Sequence, residues 1–534
     1  KSNGSAIFGI DVSFPDMLVA TVRQSPVFGG TVRSVNKDSV LQMPGVVGVE
    51  IIPNGTFVLG NYIFAKPNNE VVDPLGTVAV VANKFWHAKK ALDNLEIDYD
   101  DGQSLNFSVQ EYTSLLKERA FEKGIPVQEK GDVDSSLASA PHRLEAVYDV
   151  PNLAHMVMEP MNCTTLFKNG KCKVWTGSQN AEWVAIIASK ILNLSIDDVE
   201  VVTPYLGGGF GRRSNVDYVV QSVFLAKRFP GRPIKLMWTR EEDTRHDFYR
   251  PRVVARFQAG FDEHKMPVVF RQVNVGDGAS SQHNLIGKSA VDASVMDSTD
   301  IQAYFFPNKS VEYIYEECPV PLGFWRSVGG SHNGYFIESF IDEMANEAKV
   351  DPVLFRRRLL GRAPRFENVL DRVSRMAGWR AEPWKAEDSR MHAMGVALYK
   401  DHGTIVGQVA EVSLDDDRRP VVHRVWCAVD CGVLINPAIA TMQVESAIAY
   451  GLSAALMEEV DVKDGRINNS NFHDYPVLTA KQMPPIEVEF IKSSENPTGL
   501  GEPATPPIPA ALCNAIFNLT GVRIRSLPIN IVAV

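Results

Sequence analysis

Short apolar runs rich in Val and Ile alternate with amphipathic segments of helical period along most of the chain. This pattern predicts mixed α/β structure. Near the N-terminus it predicts strands Met17–Val22, Val46–Ile52, Thr77–Ala82 and Glu96–Tyr99, and helix Phe85–Leu95. We therefore expect a small α/β domain over residues 1–102, followed by a polar connector over residues 103–140 that crosses the surface.

From residue 141 onward, predicted strands and helices follow one another more regularly. The predicted strands are Lys173–Thr176, Val199–Thr203, Ile234–Thr239, Arg252–Phe261, Val406–Leu414, Val422–Asp430 and Ile486–Ile491. The predicted helices are Ala181–Leu192, Asp217–Arg228, His332–Ala348, Asp351 to about Leu360, Met442–Met457 and Ala510–Leu519. We expect one domain over residues 141–360, a polar linker with turns over 361–389, and a second domain over 390–534. The predicted fold class is a multidomain α+β or α/β protein.

Length, charge and cysteine usage narrow the classes of function. A chain of 534 residues exceeds what one hydrophobic core usually serves, so we expect two to four domains. The formal net charge of −10 argues against nucleic acid as a general partner. The six cysteines form no C-x-x-C pair, which excludes zinc ribbons and common iron–sulfur loops from this sequence.

A cluster of glycines, residues 207–211, lies between a predicted strand and a predicted helix. Such a loop can wrap a ligand with its backbone N–H groups. Arg212 and Arg213 follow directly, and they would suit phosphate or another anion. A turn with a solvated basic pair explains the same residues equally well. A dinucleotide loop is a third interpretation, although G-x-G-x-x-G is not matched here.

A single carboxylate, Glu502, lies between Gly501 and Pro503. Gly501 permits close backbone approach, and Pro503 prevents regular hydrogen bonding there. Glu502 is therefore either a charge at a helix start or a catalytic base. Residues 499–504 also match G-x-G-x-x-A, but the nearest predicted strand ends well before them and prolines crowd the helix entry. We interpret that match as accidental.

Other segments carry weaker signals. Gln179 lies in a Thr-Gly-Ser-Gln-Asn turn, whose amides could bind an oxygen ligand or cap the next helix. Arg326 lies in the aromatic and glycine-rich segment Gly323–Gly330, which could line a flat pocket or belong to the core. The turn Asp430–Pro437 and His155 are both expected to be structural.

Taken in order, five segments resemble the molybdenum hydroxylases of the xanthine dehydrogenase/aldehyde oxidase superfamily. The segments are Met158–Cys163, Gly177–Asn180, Gly207–Arg213, Asp430–Pro437 and Gly499–Pro503. In type, the chain resembles the β (large) subunit of isoquinoline 1-oxidoreductases over essentially its whole length. The resemblance implies a small hammerhead-like N-terminal domain followed by molybdopterin-binding α/β domains.

The resemblance also implies a cofactor and individual roles. The cofactor would be molybdopterin cytosine dinucleotide, with oxo and sulfido ligands on molybdenum. Cofactor-binding roles would fall on Gln179, Gly208, Gly209, Phe210, Gly211, Arg212, Arg326 and Gly501. Glu502 would be the catalytic base, and no side chain would ligate the metal directly.

Departures from the purine-oxidising relatives bear on the substrate. Ser214 stands where those relatives carry a substrate-binding Glu, and their second purine-clamping residue has no clear equivalent near Val295–Ser298. We expect the pocket wall to use Trp325, Val328, Tyr399 and His402 instead. An aldehyde or an N-heteroaromatic compound would fit such a wall.

A second departure concerns completeness. Most relatives carry a further cofactor-binding stretch before the Asp-Cys-Gly turn, whereas here residues 391–414 run almost directly into 422–430. In the isoquinoline type that stretch lies ahead of the small domain. We therefore expect a separate or removed N-terminal segment, which would also hold any twin-arginine export signal. A periplasmic location, with membrane association through a partner as an option, follows from the same resemblance.

Electron transfer is expected to need other chains. Because the sequence has no iron–sulfur motif, electrons would leave through a small partner subunit that holds 2Fe–2S clusters. With no flavin or nicotinamide site evident, the acceptor would be a cytochrome c subunit or a quinone. Two alternatives stay open: a nicotinamide-dependent dehydrogenase that uses the glycine loops, and a cofactor-free structural homologue in a larger complex.

Overall fold

The computed structural model describes residues 3–53, 75–288, 290–299 and 302–531. Within these ranges, three sheets of five or more strands form the framework, and helices pack on their faces. The strongly periodic segments are confirmed, since helices Ala181–Leu192 and Asp217–Arg228 have the predicted bounds. The mixed α/β architecture predicted from the sequence is therefore present.

The first sheet joins the N-terminal strands to the middle of the chain. Its strands follow in the spatial order Val199–Val202, Lys171–Trp175, Asn162–Lys168, Ile234–Met237, Leu18–Gln24, Leu75–Ala82 and Val46–Pro53. Leu18–Gln24 pairs in parallel with Ile234–Met237, so the sheet crosses the domain boundary expected at residue 102. The helices of residues 181–192 and 217–228 supply apolar side chains to the core beside this sheet.

The segment 103–140, expected as a connector, contains regular structure. It forms helix Val109–Arg119, strand Ile125–Lys130 and helix Val133–Ser139. The strand is the edge of the second sheet, whose order continues Asn308–Tyr315, Pro267–Gly276, Val253–Phe261 and His142–Val150. The polar composition concealed one apolar face on each helix, including the fully buried Leu116.

The segment 361–389, expected as a linker, likewise folds into the protein. Helix Pro364–Ala377 buries Phe366, Val369, Leu370 and Val373 against strands Thr404–Leu414 and Pro420–Asp430. Those strands belong to the third sheet, in the order Trp384–Lys385, Met391–Asp401, Thr404–Leu414, Pro420–Asp430 and Ile486–Phe490. The apolar residues recur at three- and four-residue spacing within an otherwise charged helix. For this reason the average polarity of the segment did not reveal that it forms a buried helix.

The C-terminal helix Pro507–Thr520 lies in the middle of the largest core. It packs on strand Met391–Asp401 and on helix Gly330–Ala348. Gly395 makes the close approach possible, because a Cβ there would lie 2.2 Å from the carbonyl oxygen of Ala511. Since this helix is buried over residues 507–516, the loop that carries Glu502 enters it from a fixed position.

The remaining helices and strand pairs complete the described fold. They are helices Asp38–Leu41, Phe85–Asp93, Arg240–Arg245, Ala279–Gln282, Ala293–Met296, Pro352–Leu360 and Pro437–Met457, and paired strands Thr31–Val35 with Ile97–Asp100 and Val462–Lys463 with Arg466–Ile467. Gly361 ends helix Pro352–Leu360, as predicted. Among the residues that the structure describes, no helix combines the length and apolar character needed to cross a membrane.

Candidate active site

The glycine loop follows strand Val199–Val202 and adopts backbone conformations that favour glycine. Gly208 and Gly211 have φ values of +101° and +111°. A Cβ on Gly211 would lie 1.5 Å from the carbonyl oxygen of Phe324, so the loop touches segment Gly323–Gly330 directly. Within the described part of the chain, the N–H groups of Gly208, Gly209 and Phe210 donate no hydrogen bond. Three adjacent donors are therefore available to a ligand.

A buried ion pair supports this loop from behind. Arg213, which is fully buried, donates to the carbonyl oxygens of Gly208, Gly177 and Glu159 at 2.9, 3.1 and 2.7 Å. The Oε2 atom of Glu159 accepts from Arg213 at 3.1 Å and from the N–H of Gly207 at 2.7 Å. Glu159 and Arg213 thus cross-link three loops. In the sequence, Glu159 stands out only as a member of the segment Met158–Cys163, because its partners are distant in the chain.

Arg212 does not face a ligand, which corrects the role predicted for it. It is 1% exposed and donates to both carboxylate oxygens of Asp217, at 2.9 and 2.8 Å. Its Nε lies 3.1 Å from Asp247, and its guanidinium lies 5.5 Å from the Trp238 ring centroid. A charge desolvated to this degree needs such partners, so Arg212 is structural. Neither arginine of the pair is solvated.

Gln179 lies against the glycine loop and is exposed. Its Oε1 accepts hydrogen bonds from the N–H groups of Gly211 and Arg213, at 3.1 and 3.2 Å. A Cβ on Gly209 would lie 2.5 Å from that Oε1 atom, so a larger residue there would displace the Gln179 side chain from the loop. The side-chain amide N–H groups of Gln179 remain as donors. The helix-capping interpretation of this turn is also confirmed. The capping residue is Asn180, whose Oδ1 accepts a hydrogen bond from the N–H of Trp183 at 3.2 Å.

Arg326 connects the glycine loop to the Glu502 loop. It is 4% exposed, and its Nε donates to the carbonyl oxygen of Gly501 at 2.8 Å. Its remaining N–H groups donate to Ser446 Oγ at 3.0 Å and to the carbonyl oxygen of Gln443 at 3.2 Å, both on helix Pro437–Met457. The guanidinium lies 5.7 Å from the Phe210 ring centroid. Arg326 therefore positions the neighbouring loop through hydrogen bonds to protein atoms.

Glu502 is held by one carboxylate oxygen. Its Oε2 accepts from the N–H of Ser327 at 3.2 Å and lies 3.4 Å from Nε2 of His402. Its Oε1 accepts no hydrogen bond from the residues that the structure covers. The side chain is 37% exposed. Burial raises the pKa of Glu502, as does Asp401, while His402 lowers it.

The four residues predicted for the pocket wall differ in how far their side chains are buried. Trp325 is 1% exposed, stacks on Tyr450 with ring centroids 4.5 Å apart, and donates from Nε1 to the carbonyl oxygen of Ala154. Tyr399 is fully buried, and its hydroxyl donates to the carbonyl oxygen of Ser298 at 3.2 Å. Neither side chain presents a surface to a ligand, which corrects their predicted role.

The other two wall residues lie near Glu502. Val328 is half-buried and directly follows Ser327. His402 has a half-exposed side chain and contacts the Glu502 carboxylate. Of the four predicted wall residues, these two keep an accessible side chain close to Glu502 in the chain or in space, and their wall role stays a prediction.

Two positions that were predicted to be structural, His155 and the turn that begins at Asp430, make hydrogen bonds within the protein. His155 is buried, and its Nδ1 and Nε2 lie 2.9 Å from Asp247 and 3.2 Å from the carbonyl oxygen of Phe324. Asp430 accepts two hydrogen bonds from Arg365, at 2.7 and 2.8 Å, and so fixes the turn that pairs with residues 495–498 ahead of Glu502. Arg365 belongs to the segment that had been expected as a linker.

A cavity of about 480 Å³ opens next to the glycine loop. Phe210 and Tyr450 form one end, and their rings stack with centroids 4.6 Å apart. Met158 and Met442 line it further out, and both are more than half exposed. Neither Glu502 nor Arg326 belongs to this lining.

Comparisons with known proteins point to molybdopterin-binding domains. Residues 117–360 and residues 371–484 match two family models, each described as a molybdopterin cofactor-binding domain. The chain is 29% identical to the isoquinoline 1-oxidoreductase subunit beta of Brevundimonas diminuta, over 99% of this chain and 66% of that subunit. It is 28% identical to the membrane-bound aldehyde dehydrogenase (pyrroloquinoline-quinone) of Gluconacetobacter polyoxogenes, over 99% of this chain and 70% of that protein.

The fold has a counterpart among solved structures. Quinoline 2-oxidoreductase from Pseudomonas putida 86 superimposes with a TM-score of 0.81 and 15% identity, covering 99% of this chain and 95% of that one. At this identity the likeness concerns the fold alone. The chain spans about two thirds of the length of the two relatives named above, 66% and 70%.

Proposed function

Because the chain belongs to the molybdopterin-dependent molybdenum hydroxylases, we propose that it is the catalytic part of a large subunit that oxidises an aldehyde or an N-heteroaromatic compound, with water as the oxygen source. The observation that carries the proposal is the placement of Glu502. Its carboxylate is held at one oxygen, has the other free, and lies on a loop that Arg326 ties to the glycine loop region.

The residues present fit an anionic cofactor rich in oxygen atoms. The N–H groups of Gly208, Gly209 and Phe210, together with the amide of Gln179, are donors without protein acceptors in the described ranges. Gly501 adds space, because a Cβ there would meet nothing within 4 Å. Backbone donors of this kind hold phosphate and other anions without a charged side chain. These residues would hold molybdopterin at its oxygen atoms.

The protein's own contribution to the chemistry is proton transfer and orientation. When bound, the molybdenum cofactor supplies the two-electron oxidation. Glu502 accepts a proton through Oε1, while the N–H of Ser327 fixes Oε2. Burial raises the pKa of Glu502 from its ordinary value towards neutrality, which strengthens it as a base. Arg326 orients the carboxylate by holding the carbonyl oxygen of the preceding Gly501.

The substrate class rests on two observations. Ser214 replaces the carboxylate that purine-oxidising relatives use, so a purine is disfavoured. One similar protein is named for isoquinoline and another for aldehydes, and this chain is nearly equally identical to both. A screen of aldehydes against N-heterocycles with the purified complex distinguishes the two classes.

The remaining parts of the proposal concern the assembly. We infer a partner subunit with 2Fe–2S clusters, since the relative from Brevundimonas is itself named as one subunit of an enzyme. The cytosine dinucleotide form of the cofactor is tested by nucleotide release, where CMP supports it and its absence contradicts it. The periplasmic location is tested by cell fractionation.

Replacing the base tests the central proposal. In the purified complex, Glu502→Gln should lower turnover by about 10²- to 10⁴-fold, because a general base contributes this much. Molybdenum and pterin contents should stay unchanged, since the amide oxygen of the glutamine side chain can still accept the hydrogen bond from the N–H of Ser327. The matched control is Glu495→Gln, an exposed carboxylate of the same loop, which should keep its turnover. Retained turnover in Glu502→Gln would show that the base is misassigned.

A further inference from the structure

We propose that His402 is a positioning residue whose fixed positive charge, anchored by the buried Asp401, orients the Glu502 carboxylate and keeps it in the form that accepts a proton. This inference rests on the function proposed above and adds a second residue to the same site. From the sequence, His402 is predicted to belong to the substrate pocket wall. The structure gives it two carboxylate neighbours instead.

The turn that carries His402 is attached to the Glu502 loop. His402 and Gly403 connect strands Met391–Asp401 and Thr404–Leu414, and both have positive φ, +45° and +82°. This is the two-residue hairpin geometry that favours Asn or Gly at the first position, so a histidine there is strained. The N–H of Gly499 donates to the carbonyl oxygen of His402 at 3.2 Å, and Thr404 Oγ1 donates to the carbonyl oxygen of Gly499 at 2.6 Å. The hairpin tip is therefore held in place beside Glu502.

Asp401 explains why a cation belongs at this point. Its side chain is fully buried, its Oδ1 accepts from Ser298 Oγ at 2.9 Å, and Oδ1 lies 3.0 Å from Nδ1 of His402. Its Oδ2 is buried and has no hydrogen-bond partner in the described part of the chain. A buried carboxylate in this state requires a nearby positive charge. His402 is the neighbour that can supply it.

Both ring nitrogens of His402 face carboxylates. Nδ1 lies 3.0 Å from Asp401 and Nε2 lies 3.4 Å from Glu502, so the doubly protonated ring can donate to both. The hydrogen bond to Asp401, with further help from Glu502 and Asp297, raises the pKa of His402 to about 9. The positive charge is therefore present below about pH 9 and is lost as the pH rises through that value. Arg326 is the other cation that acts on Glu502.

The coupling between the two side chains makes a reciprocal prediction. Removing the charge of Glu502 should lower the pKa of His402, and removing the charge of His402 should raise the pKa of Glu502. Linkage requires the two shifts to be equal in size. Opposite charges at this separation shift each other by about one unit or more. A residue that only fills space would produce neither shift.

The first measurement needs no turnover. Histidine-labelled protein is titrated by NMR in the wild type, Glu502→Gln and His402→Gln, and the last variant assigns the His402 signal by its absence. We expect the His402 pKa to fall by about one unit or more in Glu502→Gln. An unchanged pKa would overturn the proposal. His264→Gln, which removes an exposed histidine, should leave the His402 titration unchanged.

The second measurement is the pH profile of the loaded complex. In His402→Gln, the acid limb of the kcat/KM profile, which reports the ionisation of Glu502, should move to higher pH. The size of this move should equal the pKa change of His402 that NMR measures in Glu502→Gln. If the His402→Gln variant folds poorly, His402→Asn serves as a second variant, because asparagine tolerates the left-handed backbone of this turn. An unmoved acid limb in both would overturn the proposal.

Asp297, Asp401 and His402 could also bind a metal ion, since each can place one ligand atom within 4.8 Å of the others. A His402 signal that changes when a chelator is added would show that role instead, and would equally overturn the proposal. If Glu502→Gln keeps its turnover while the NMR shift occurs, the proposed function fails but the coupling stands.

Discussion

The buried pair of Glu159 and Arg213 should determine whether the glycine loop keeps its shape. In Glu159→Gln, one carboxylate oxygen becomes an amide nitrogen that faces other donors. The carboxylate accepts from Gly207, Arg213, the N–H of Ile10 and Nδ2 of Asn162. The amide can replace only one of its two oxygens as an acceptor, so Arg213 keeps a buried charge without its counter-ion.

The expected loss follows from the burial of both partners. Glu159 is 7% exposed and Arg213 is fully buried, so removing one charge leaves the other desolvated. Breaking such a pair costs about 3–5 kcal/mol. If the free energy required to open the loop locally falls by this amount, the protection of the Gly207 amide against hydrogen exchange falls by about 10²- to 10³·⁵-fold.

A surface pair provides the control for this prediction. Lys173 and Glu200 lie 2.5 Å apart with side chains 37% and 62% exposed, so Glu200→Gln should cost less than about 1 kcal/mol. Hydrogen exchange followed by mass spectrometry on peptides that cover residues 199–213 compares the two variants with the wild type. If Glu159→Gln lowered protection by less than tenfold, or no more than Glu200→Gln, the reasoning about the buried pair would be refuted.

Two further predictions concern residues that both hold the loops in place and lie at the candidate site. Gly211→Ala should destabilise the protein by about 2–4 kcal/mol and lower its cofactor content, because the new Cβ meets the Phe324 carbonyl oxygen and the backbone is left-handed. Gly170→Ala, at φ +72° with nothing within 4 Å, isolates the backbone strain, and an equal loss of melting temperature in both would contradict the steric argument. Arg326→Lys should keep molybdenum but lower kcat by up to about 10²-fold, since lysine cannot make the forked contacts that place Glu502. The exposed Arg33→Lys should keep full activity, and an unaffected kcat in Arg326→Lys would rule out its positioning role.

The sequence predicted elements well where local periodicity was strong. Helix Ala181–Leu192 was predicted at its observed bounds because its apolar residues recur at helical spacing and Asn180 caps its start. Helix Pro364–Ala377 was missed, because its five buried apolar residues are matched by five charged ones. The mean polarity of a segment cannot show a narrow apolar face, whereas the spacing of its apolar residues can.

Predicting the site failed where the answer depended on distant partners. Arg212 and Arg213 are adjacent, yet the distant Asp247, together with the nearby Asp217, neutralises one, and the distant Glu159 neutralises the other. Tyr399 lies on a strand that is buried on both faces, so alternation could not show that its side chain points into the core. The loop that carries Glu502 could be recognised from its motif because the prolines around it restrict the backbone locally, whereas the role of Glu502 as the base stays a prediction.

The three arginines of these motifs share a consequence for how the site holds an anion. Arg212, Arg213 and Arg326 are each at most 4% exposed, and each donates to protein carboxylates or carbonyl oxygens. Their charges therefore shape the loops and are not offered to a ligand. The donors that these loops do offer are backbone and amide N–H groups, which stay fixed because the arginines hold the loops behind them. A site of this kind selects for the arrangement of oxygen atoms in its ligand more than for net charge, as a large cofactor positioned beside one carboxylate base requires.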